Sequence, residues 1–200
     1  MSFTEAFKSI WLKPRDTVSE LLQSNSSLYI ILVLLAGVSL RLDQAANNNL
    51  GDRTGFSYIL FSALVIGPII GLLAWFFYSG MAHITARWLG GHGSWKETRT
   101  GIAWCSIPLL LKLILWIPQL FLFGGEMFTS ATPVLDSSMT LLGLFFLFAI
   151  LEVIINVWNL YILSQVLSEL HGFSAWKGFI SIIVIPLILA VVLVSVAIIA

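Results

Sequence analysis

Residues 56–89 read FSYILFSALVIGPIIGLLAWFFYSGMAHITARWL, and residues 139–170 read MTLLGLFFLFAILEVIINVWNLYILSQVLSEL. Each run is longer than the roughly 20 helical residues that cross the roughly 30 Å hydrocarbon core of a bilayer. Three further apolar runs occupy Ser26–Leu42, Gly101–Phe123 and Trp176–Ala200. The sequence therefore predicts an all-α polytopic membrane protein, a bundle of five transmembrane helices.

The composition agrees with a membrane protein and differs from that of a soluble domain. Hydrophobic residues make up 58% of the chain and charged residues 10%, and the mean hydropathy is +0.98. A soluble domain carries about 25% charged residues. The formal net charge is zero, which leaves no basic patch for nucleic acid. Because no long polar stretch is present, we predict one five-span membrane domain over residues 1–200, with residues 1–25 as an N-terminal segment and residues 26–200 as the helix bundle.

The N-terminal segment has apolar residues at helical spacing. They are Phe3, Phe7, Ile10 and Trp11, followed by Val18, Leu21 and Leu22. This pattern predicts a short amphipathic helix that lies in the cytoplasmic interface of the membrane and is interrupted at Pro14. A helix that docks on a partner protein has the same pattern, but so short and uncharged a face favours the membrane surface.

Basic residues near the span ends are distributed unevenly between the two sides of the membrane. Seven share one predicted side, namely Lys8, Lys13, Arg15, Arg87, Lys96, Arg99 and Lys177. Arg41 and Arg53 lie on the other side. Since loops rich in lysine and arginine stay in the cytoplasm, we predict a cytoplasmic N-terminus and an external C-terminus. The short loops favour a bacterial cytoplasmic (inner) membrane.

Four polar residues lie inside the third and fourth predicted spans. Lys112 and Glu152 fall near the middle of the bilayer, at depths that agree to within about one helical turn. Ionisable residues inside a membrane pair with each other or face a wet cavity, so we predict a Lys112–Glu152 ion pair. Asn156 and Asn159 follow Glu152 at i+4 and i+7 and extend the polar stripe. The stripe is either a structural pair that fixes helix register or a gate or proton-coupled path.

Small residues recur every four positions in the second span, at Ala63, Gly67 and Gly71. This small-xxx-small face predicts close helix packing. His83 lies further along the same span, but no cysteine or histidine stands at a recognisable ligand spacing from it. The sequence therefore predicts no metal site.

Two loops have similar sequences, GGHGSWKE at residues 90–97 and LHGFSAWKG at residues 170–178. Glycine suits a helix C-terminus, and tryptophan suits the headgroup level. Ser94 and Glu97 form a capping-box pattern that opens the next helix. The repeat suggests two helical hairpins of one design. Its motif residues, which we expect in cytoplasmic loops, are His92, Gly93, Trp95, His171, Gly172 and Trp176.

The sequence lacks the motifs of common enzymes. It contains no HExxH, no GxSxG, no phosphate-binding loop and no paired intramembrane aspartates. The loops also hold too few polar groups to assemble an active site. We therefore predict a protein that is not an enzyme and that has no catalytic residue, no bound metal and no cofactor.

Three segments resemble the Yip family of Ypt/Rab-interacting membrane proteins. They are WLKPRDTV at residues 11–18, GGHGSWKETRTGIAWCSIP at 90–108 and HGFSAWKGF at 171–179. The resemblance implies five membrane helices and, in eukaryotic members, an adaptor role in vesicle traffic through Rab GTPases and other family members. SNSSLY at residues 24–29 stands where those members have an Asp-Leu-x-Gly-Pro element, so the resemblance is to a prokaryotic-type member. The best-matched positions, to which a structural role is assigned, are Pro14, Gly91, Gly93 and Pro108.

Three functions are compatible with these observations, of which lipid handling or membrane shaping by the N-terminal interfacial helix is supported only by the Phe3–Trp11 face. The first is a non-enzymatic membrane scaffold or adaptor that binds other membrane proteins or a second copy of itself through the Ala63–Gly67–Gly71 face and the loops. The alternative is a small transporter or channel whose polar path comprises Lys112, Glu152, Asn156 and Asn159. The expected partners are the lipid bilayer and other membrane proteins, and nucleic acid is not among them.

Overall fold

The computed structural model describes residues 2–23 and 28–199, in which the secondary structure is helical with no β-strand. The α-helices are α1 Phe3–Ser9, α2 Pro14–Gln23, α3 Tyr29–Asn47, α4 Phe56–Trp88, α5 Trp95–Trp104, α6 Ile107–Phe123, α7 Pro133–Asp136, α8 Met139–His171 and α9 Ala175–Ile199. Short 3₁₀ helices occupy Leu50–Asp52 and Gly124–Phe128.

Within the described residues, five helical segments are long and apolar enough to cross a membrane. They are Tyr29–Asn47, Phe56–Trp88, Trp95–Phe128, Met139–His171 and Ala175–Val192. The predicted all-α architecture of five spans preceded by a short helix is confirmed. The predicted start of the first span at Ser26 and the predicted end of the fifth at Ala200 lie outside the described residues.

The first membrane helix ends later than the sequence predicts. The apolar run stops at Leu42, whereas α3 continues to Asn47. Leu42 and Ala45 are both buried, at 4% and 0% exposure, so packing holds the extra turn in place. Asp43 is consequently part of the membrane helix and not of a loop.

The third predicted span, Gly101–Phe123, is two helices in the structure. A turn at Cys105 and Ser106 separates α5 from α6. Pro108 explains the break, because proline has no N–H to donate to the carbonyl four residues earlier and its ring crowds that carbonyl. The span therefore begins earlier than predicted, with α5, and changes helix near its first third.

The chain divides into two compact units. Unit 1 comprises the described residues of Met1–Tyr29, Trp75–Cys105 and Leu160–Ala200, and unit 2 comprises Ile30–Ala74 and Ser106–Asn159. The description of residues 1–200 as a single five-span domain stays a prediction.

In unit 1 the N-terminal helices α1 and α2 pack against other helices of the same unit. Ile10 and Val18 are fully buried, and Leu21 is 2% exposed. A Cβ on Gly101 of α5 would lie 3.5 Å from Cγ2 of Val18, so α2 lies against α5. Pro14 begins α2 where the sequence predicts the interruption. Part of the predicted amphipathic face is thus covered by the chain itself.

Unit 2 has a core between α3, α4 and α6. Its buried residues are Val38, Leu42, Ala45, Ile59, Ala63, Trp116 and Phe128. The rings of Trp116 and Phe128 stack with centroids 5.6 Å apart and planes 3° apart. The backbone N–H of Ser130 donates to Asp52 at 3.0 Å, which joins the α3–α4 loop to the loop after α6.

Candidate functional site

Lys112 lies between two carboxylates in unit 2. Its Nζ is 2.5 Å from Oδ2 of Asp43 on α3 and 3.7 Å from Oε2 of Glu152 on α8. The predicted contact between Lys112 and Glu152 is present, but the shorter contact is to Asp43, which is 69 residues away in the chain. The three side chains are 11%, 20% and 22% exposed in the order Lys112, Asp43, Glu152, so the charged group is largely buried.

Two neutral side chains of α6 complete the network. The indole N–H of Trp116 donates to Oδ1 of Asp43 at 3.1 Å, and the amide of Gln119 donates to Oε1 of Glu152 at 2.9 Å. Trp116 and Gln119 are 3% and 2% exposed. Buried polar groups need hydrogen-bond partners. Each of these two donors has its partner in a carboxylate oxygen, and each hydrogen bond in turn fixes the position of that carboxylate.

The network forms part of the wall of a cavity of about 460 Å³ in unit 2. We call it the charged cavity. The rest of its lining includes Asn47 at the end of α3, Asn49 in the following turn, Glu126 in the 3₁₀ helix Gly124–Phe128, and the rings of Phe123 and Phe145. The lining therefore combines charged, amide and aromatic groups.

Negative charge is in excess in the charged cavity. Asp43, Glu126 and Glu152 supply three carboxylates and Lys112 one ammonium, so the formal charge is −2 when all four are ionised. Two backbone N–H groups of α7 donate to Glu126 at 2.9 Å each, and Lys112 is closest to Asp43. Among the described residues, Asp43 and Glu126 each accept two hydrogen bonds, whereas Glu152 accepts one, from Gln119, beside its longer contact with Lys112.

The two asparagines of the predicted polar stripe lie outside the charged cavity. Asn156 is exposed and Asn159 half-buried on α8, and neither belongs to the cavity lining. The Oδ1 atom of Asn159 is buried without a hydrogen-bond partner among the described residues. α8 lines the cavity with Phe145 and Glu152, so the cavity extends from Glu152 towards the N-terminus of α8 and away from the asparagines.

The sequence analysis missed Asp43, Trp116 and Gln119. Asp43 directly follows the apolar run, and extending the first span by one turn includes it. Trp116 and Gln119 follow Lys112 at i+4 and i+7. The periodicity argument that selects two residues after Glu152 therefore selects these two when it is applied to Lys112.

The small-residue face of α4 packs against α3 within unit 2. A Cβ on Gly67 would lie 2.9 Å from Cα of Val38, and one on Gly71 would lie 2.6 Å from the carbonyl oxygen of Val33. Ala63 is 2% exposed in the same core. This face is covered by the chain's own α3, so it is not free for association between chains, and that part of the scaffold interpretation is corrected.

A buried threonine joins two histidines in unit 1. Oγ1 of Thr98 lies 3.0 Å from Nδ1 of His83 and 3.0 Å from Nε2 of His171, and it donates to the carbonyl of Ser94 at 2.9 Å. Because the hydroxyl has one proton, both imidazoles must donate to it. This network assigns the Nδ1–H tautomer to His83 and the Nε2–H tautomer to His171.

Two glycines make room for His171. A Cβ on Gly91 would lie 2.6 Å from its Nδ1, and one on Gly93 would lie 3.1 Å from its Cε1. The N–H of His92 donates to the carbonyl of His171 at 3.2 Å. In the part of the chain that the structure describes, no group of three or more His, Cys, Asp or Glu side chains is placed to hold a metal ion. The arrangement is a hydrogen-bonded joint between the ends of α4, α5 and α8.

The two similar loops share their cap glycines but not their histidines. Gly90 and Gly172 have φ of 86° and 67° and follow the ends of α4 and α8. His171 directly precedes its cap glycine, whereas His92 follows Gly90 by two positions. His171 is 1% exposed and His92 is exposed, so the two His-Gly pairs are not equivalent.

The Ser-Trp part of the first loop opens α5. The backbone N–H of Glu97 donates to Oγ of Ser94 at 3.2 Å, and that of Ser94 donates to Glu97 at 2.8 Å, which is the predicted capping box. Trp95 packs edge-on against Phe76 with ring centroids 5.6 Å apart. Trp176, at the start of α9, is 67% exposed. Of the two tryptophans, Trp176 has the exposure expected of an anchor at the headgroup level.

Comparison with protein-family models matches the chain to the Yip1 domain over residues 8–197. No curated protein and no solved structure gives a significant match. The matched residues include all five spans and both similar loops. The Yip family is generally one of non-enzymatic membrane proteins. The chain therefore belongs to the Yip family and is an integral, multi-pass membrane protein.

Proposed function

We propose that this protein is a non-enzymatic membrane scaffold of the Yip family that associates with a second copy of itself through α8. Family membership supports the absence of enzymatic activity. The observation that carries the association is the exposed amide of Asn156 in the middle of a membrane helix.

The fourth span is the least covered of the five. No residue of its most apolar 18-residue stretch is buried, whereas 17–39% of the corresponding stretch is buried in the other spans. Lipid covers an apolar face without a penalty, so exposed leucine or valine does not require a partner. A polar side chain on the same surface does.

Asn156 lies deep in the span. At about 1.5 Å per residue, it is about 25 Å from Met139 and about 22 Å from His171. A hydrocarbon core of about 30 Å therefore contains it wherever the helix is placed along the membrane normal. An amide that faces hydrocarbon lacks the hydrogen bonds it has in water, and a neighbouring helix can supply them.

Exposed residues next to Asn156 have the spacing of a helix-packing seam. Phe146, Val153 and Asn156 are exposed and occupy a, a and d positions of consecutive heptads. We call these three residues the Asn156 seam. An asparagine amide carries both donors and an acceptor, so two seams related by a two-fold axis pair Asn156 with itself. This self-complementarity favours a second copy as the partner.

Energy transfer between differently labelled copies in liposomes, at a series of protein-to-lipid ratios, tests the association. Asn156→Leu removes the amide but keeps the branched shape and the number of heavy atoms of the side chain. Since interhelical polar contacts contribute about 0.6 kcal/mol each, we expect the dissociation constant to rise about 3- to 10-fold. Ile154→Leu, on the opposite face of α8, is the matched control. Equal association of Asn156→Leu and the unmodified protein contradicts the proposal.

The charged cavity favours a second function, a small transporter or channel. Solute or ion flux into proteoliposomes tests it. Ala149→Leu adds volume to the cavity wall without changing its charge, and we expect it to abolish flux. Absence of flux with the unmodified protein, or flux that is unchanged in Ala149→Leu, eliminates this function and leaves the scaffold role untouched.

A further inference from the structure

We propose that the charged cavity binds a small organic cation, an ammonium ion with apolar substituents. This inference concerns the same cavity as the proposed transport function. It does not require transport, because a site can bind such an ion without moving it across the membrane. Size, charge and aromatic lining each contribute to the assignment.

The volume of the charged cavity suits a small organic molecule. At about 460 Å³, it falls within the range of roughly 300–1,000 Å³ that is typical of small-molecule sites. A bare inorganic cation fills a small part of such a space. Divalent cations also need several oxygen ligands around one point, and among the described residues no group of three or more metal-ligating side chains provides them.

The charge of the cavity selects a cation. Its three carboxylates and one ammonium leave a formal charge of −2, so an anion is repelled. The side-chain amide of Gln119 donates a hydrogen bond to Oε1 of Glu152 at 2.9 Å, whereas Oε2 of Glu152 is 3.7 Å from Nζ of Lys112. The second distance is longer than a direct hydrogen bond. The negative charge at Oε2 of Glu152 is therefore available to attract the positive charge of a ligand cation.

The aromatic rings favour a cation that carries carbon substituents. Phe123 and Phe145 line the cavity as an edge-to-face pair with centroids 5.8 Å apart, and Trp116 contributes to the same lining. The faces of aromatic rings attract ammonium ions and provide apolar contact for their methyl groups. Carboxylate and aromatic groups together distinguish an organic ammonium from a hydrated sodium ion.

Fluorine NMR of the 5-fluorotryptophan-labelled protein in nanodiscs tests the site, with tetramethylammonium chloride as the probe. Trp116→Phe identifies the signal of Trp116 by its loss. We expect tetramethylammonium to shift this signal saturably, and sodium chloride at equal ionic strength not to do so. Glu152→Gln keeps the shape of the side chain and removes its charge, and we expect it to raise the dissociation constant about 10-fold or more.

Glu169→Gln is the matched control, because Glu169 is an exposed carboxylate on α8 outside the cavity lining. It should bind the probe as the unmodified protein does. Ala149→Leu tests the same site by volume and should prevent the shift even if Glu152→Gln does not fold. A shift of equal size with sodium chloride, no saturable shift, or unchanged affinity in folded Glu152→Gln overturns the proposal. Saturable binding without flux retains the site and removes transport.

Discussion

Lys112 is shared by two carboxylates, and this sharing changes how its role must be tested. Asp43 is the closer partner and also receives the indole N–H of Trp116. Removing Lys112 and Glu152 together would leave Asp43 charged inside the span without its countercharge. A neutral version of the network therefore requires replacement of all three charged residues.

We predict that Lys112→Met lowers the free energy of unfolding by about 3 kcal/mol, because it leaves two carboxylates without a countercharge in a largely buried site. The triple variant Lys112→Met, Asp43→Asn, Glu152→Gln should recover most of this loss. Denaturant unfolding in nanodiscs measures both. Lys96→Met, at an exposed lysine of α5, is the control and should change little. If the triple variant is as unstable as Lys112→Met, the network does not act as a structural charge pair.

At the scale of the helices, α3 and α4 approach each other through glycines. A Cβ on Gly37 would lie 2.7 Å from Cα of Gly71, so each helix contributes a glycine to the contact. The four-residue spacing of Gly67 and Gly71 is visible in the sequence. Gly37 is a single glycine in an apolar run and has no periodicity to mark it.

Gly71→Ala should destabilise the protein by about 1–3 kcal/mol, because the new methyl group meets backbone atoms that cannot rotate away. Gly143→Ala on α8 is the matched control. Its Cβ would meet nothing within 4 Å, and alanine is favoured over glycine in a helix by up to about 1 kcal/mol. Thermal unfolding in nanodiscs compares the two. Equal stability of the two variants would contradict the prediction, because it would show that α3 and α4 can move apart without loss of stability.

At the scale of the whole molecule, an odd number of spans predicts that the two ends of the chain lie on opposite sides of the membrane. The bias of lysine and arginine predicts which terminus is cytoplasmic. Native Cys105 is 1% exposed, so Cys105→Ser changes the protein surface little. The substitution also removes the native thiol, so that a thiol reagent labels only the engineered cysteines. Engineered cysteines in the loops can then report sidedness.

We expect Ser130→Cys to react with a membrane-impermeant maleimide from outside intact cells, and Lys96→Cys to react after permeabilisation. Both positions are exposed. The backbone N–H of residue 130 donates to Asp52, and Ser130→Cys keeps this hydrogen bond while removing the hydroxyl that also interacts with Asp52. Labelling of Lys96→Cys in intact cells, with Ser130→Cys protected, would reverse the predicted orientation.

The sequence alone determined the class of the protein and most of its helices. Transfer of a residue into hydrocarbon depends on that residue and its near neighbours, so hydropathy located five spans, and the capping box located the start of α5. The segments that resemble the Yip family are likewise local, and the family match confirms them. Lys112 and Glu152 were found because a charge stands out against an apolar run.

The tertiary structure alone decided which of these residues meet. The apolar run ends before Asp43, and packing of the following turn brought that carboxylate to Lys112. The two His-Gly pairs look alike along the chain, but the position of the cap glycine buried His171 and exposed His92. Such contacts depend on the rotation of each helix about its own axis and on the residue at which the helix ends, to within one turn. Hydropathy is a sum along the chain and contains neither quantity.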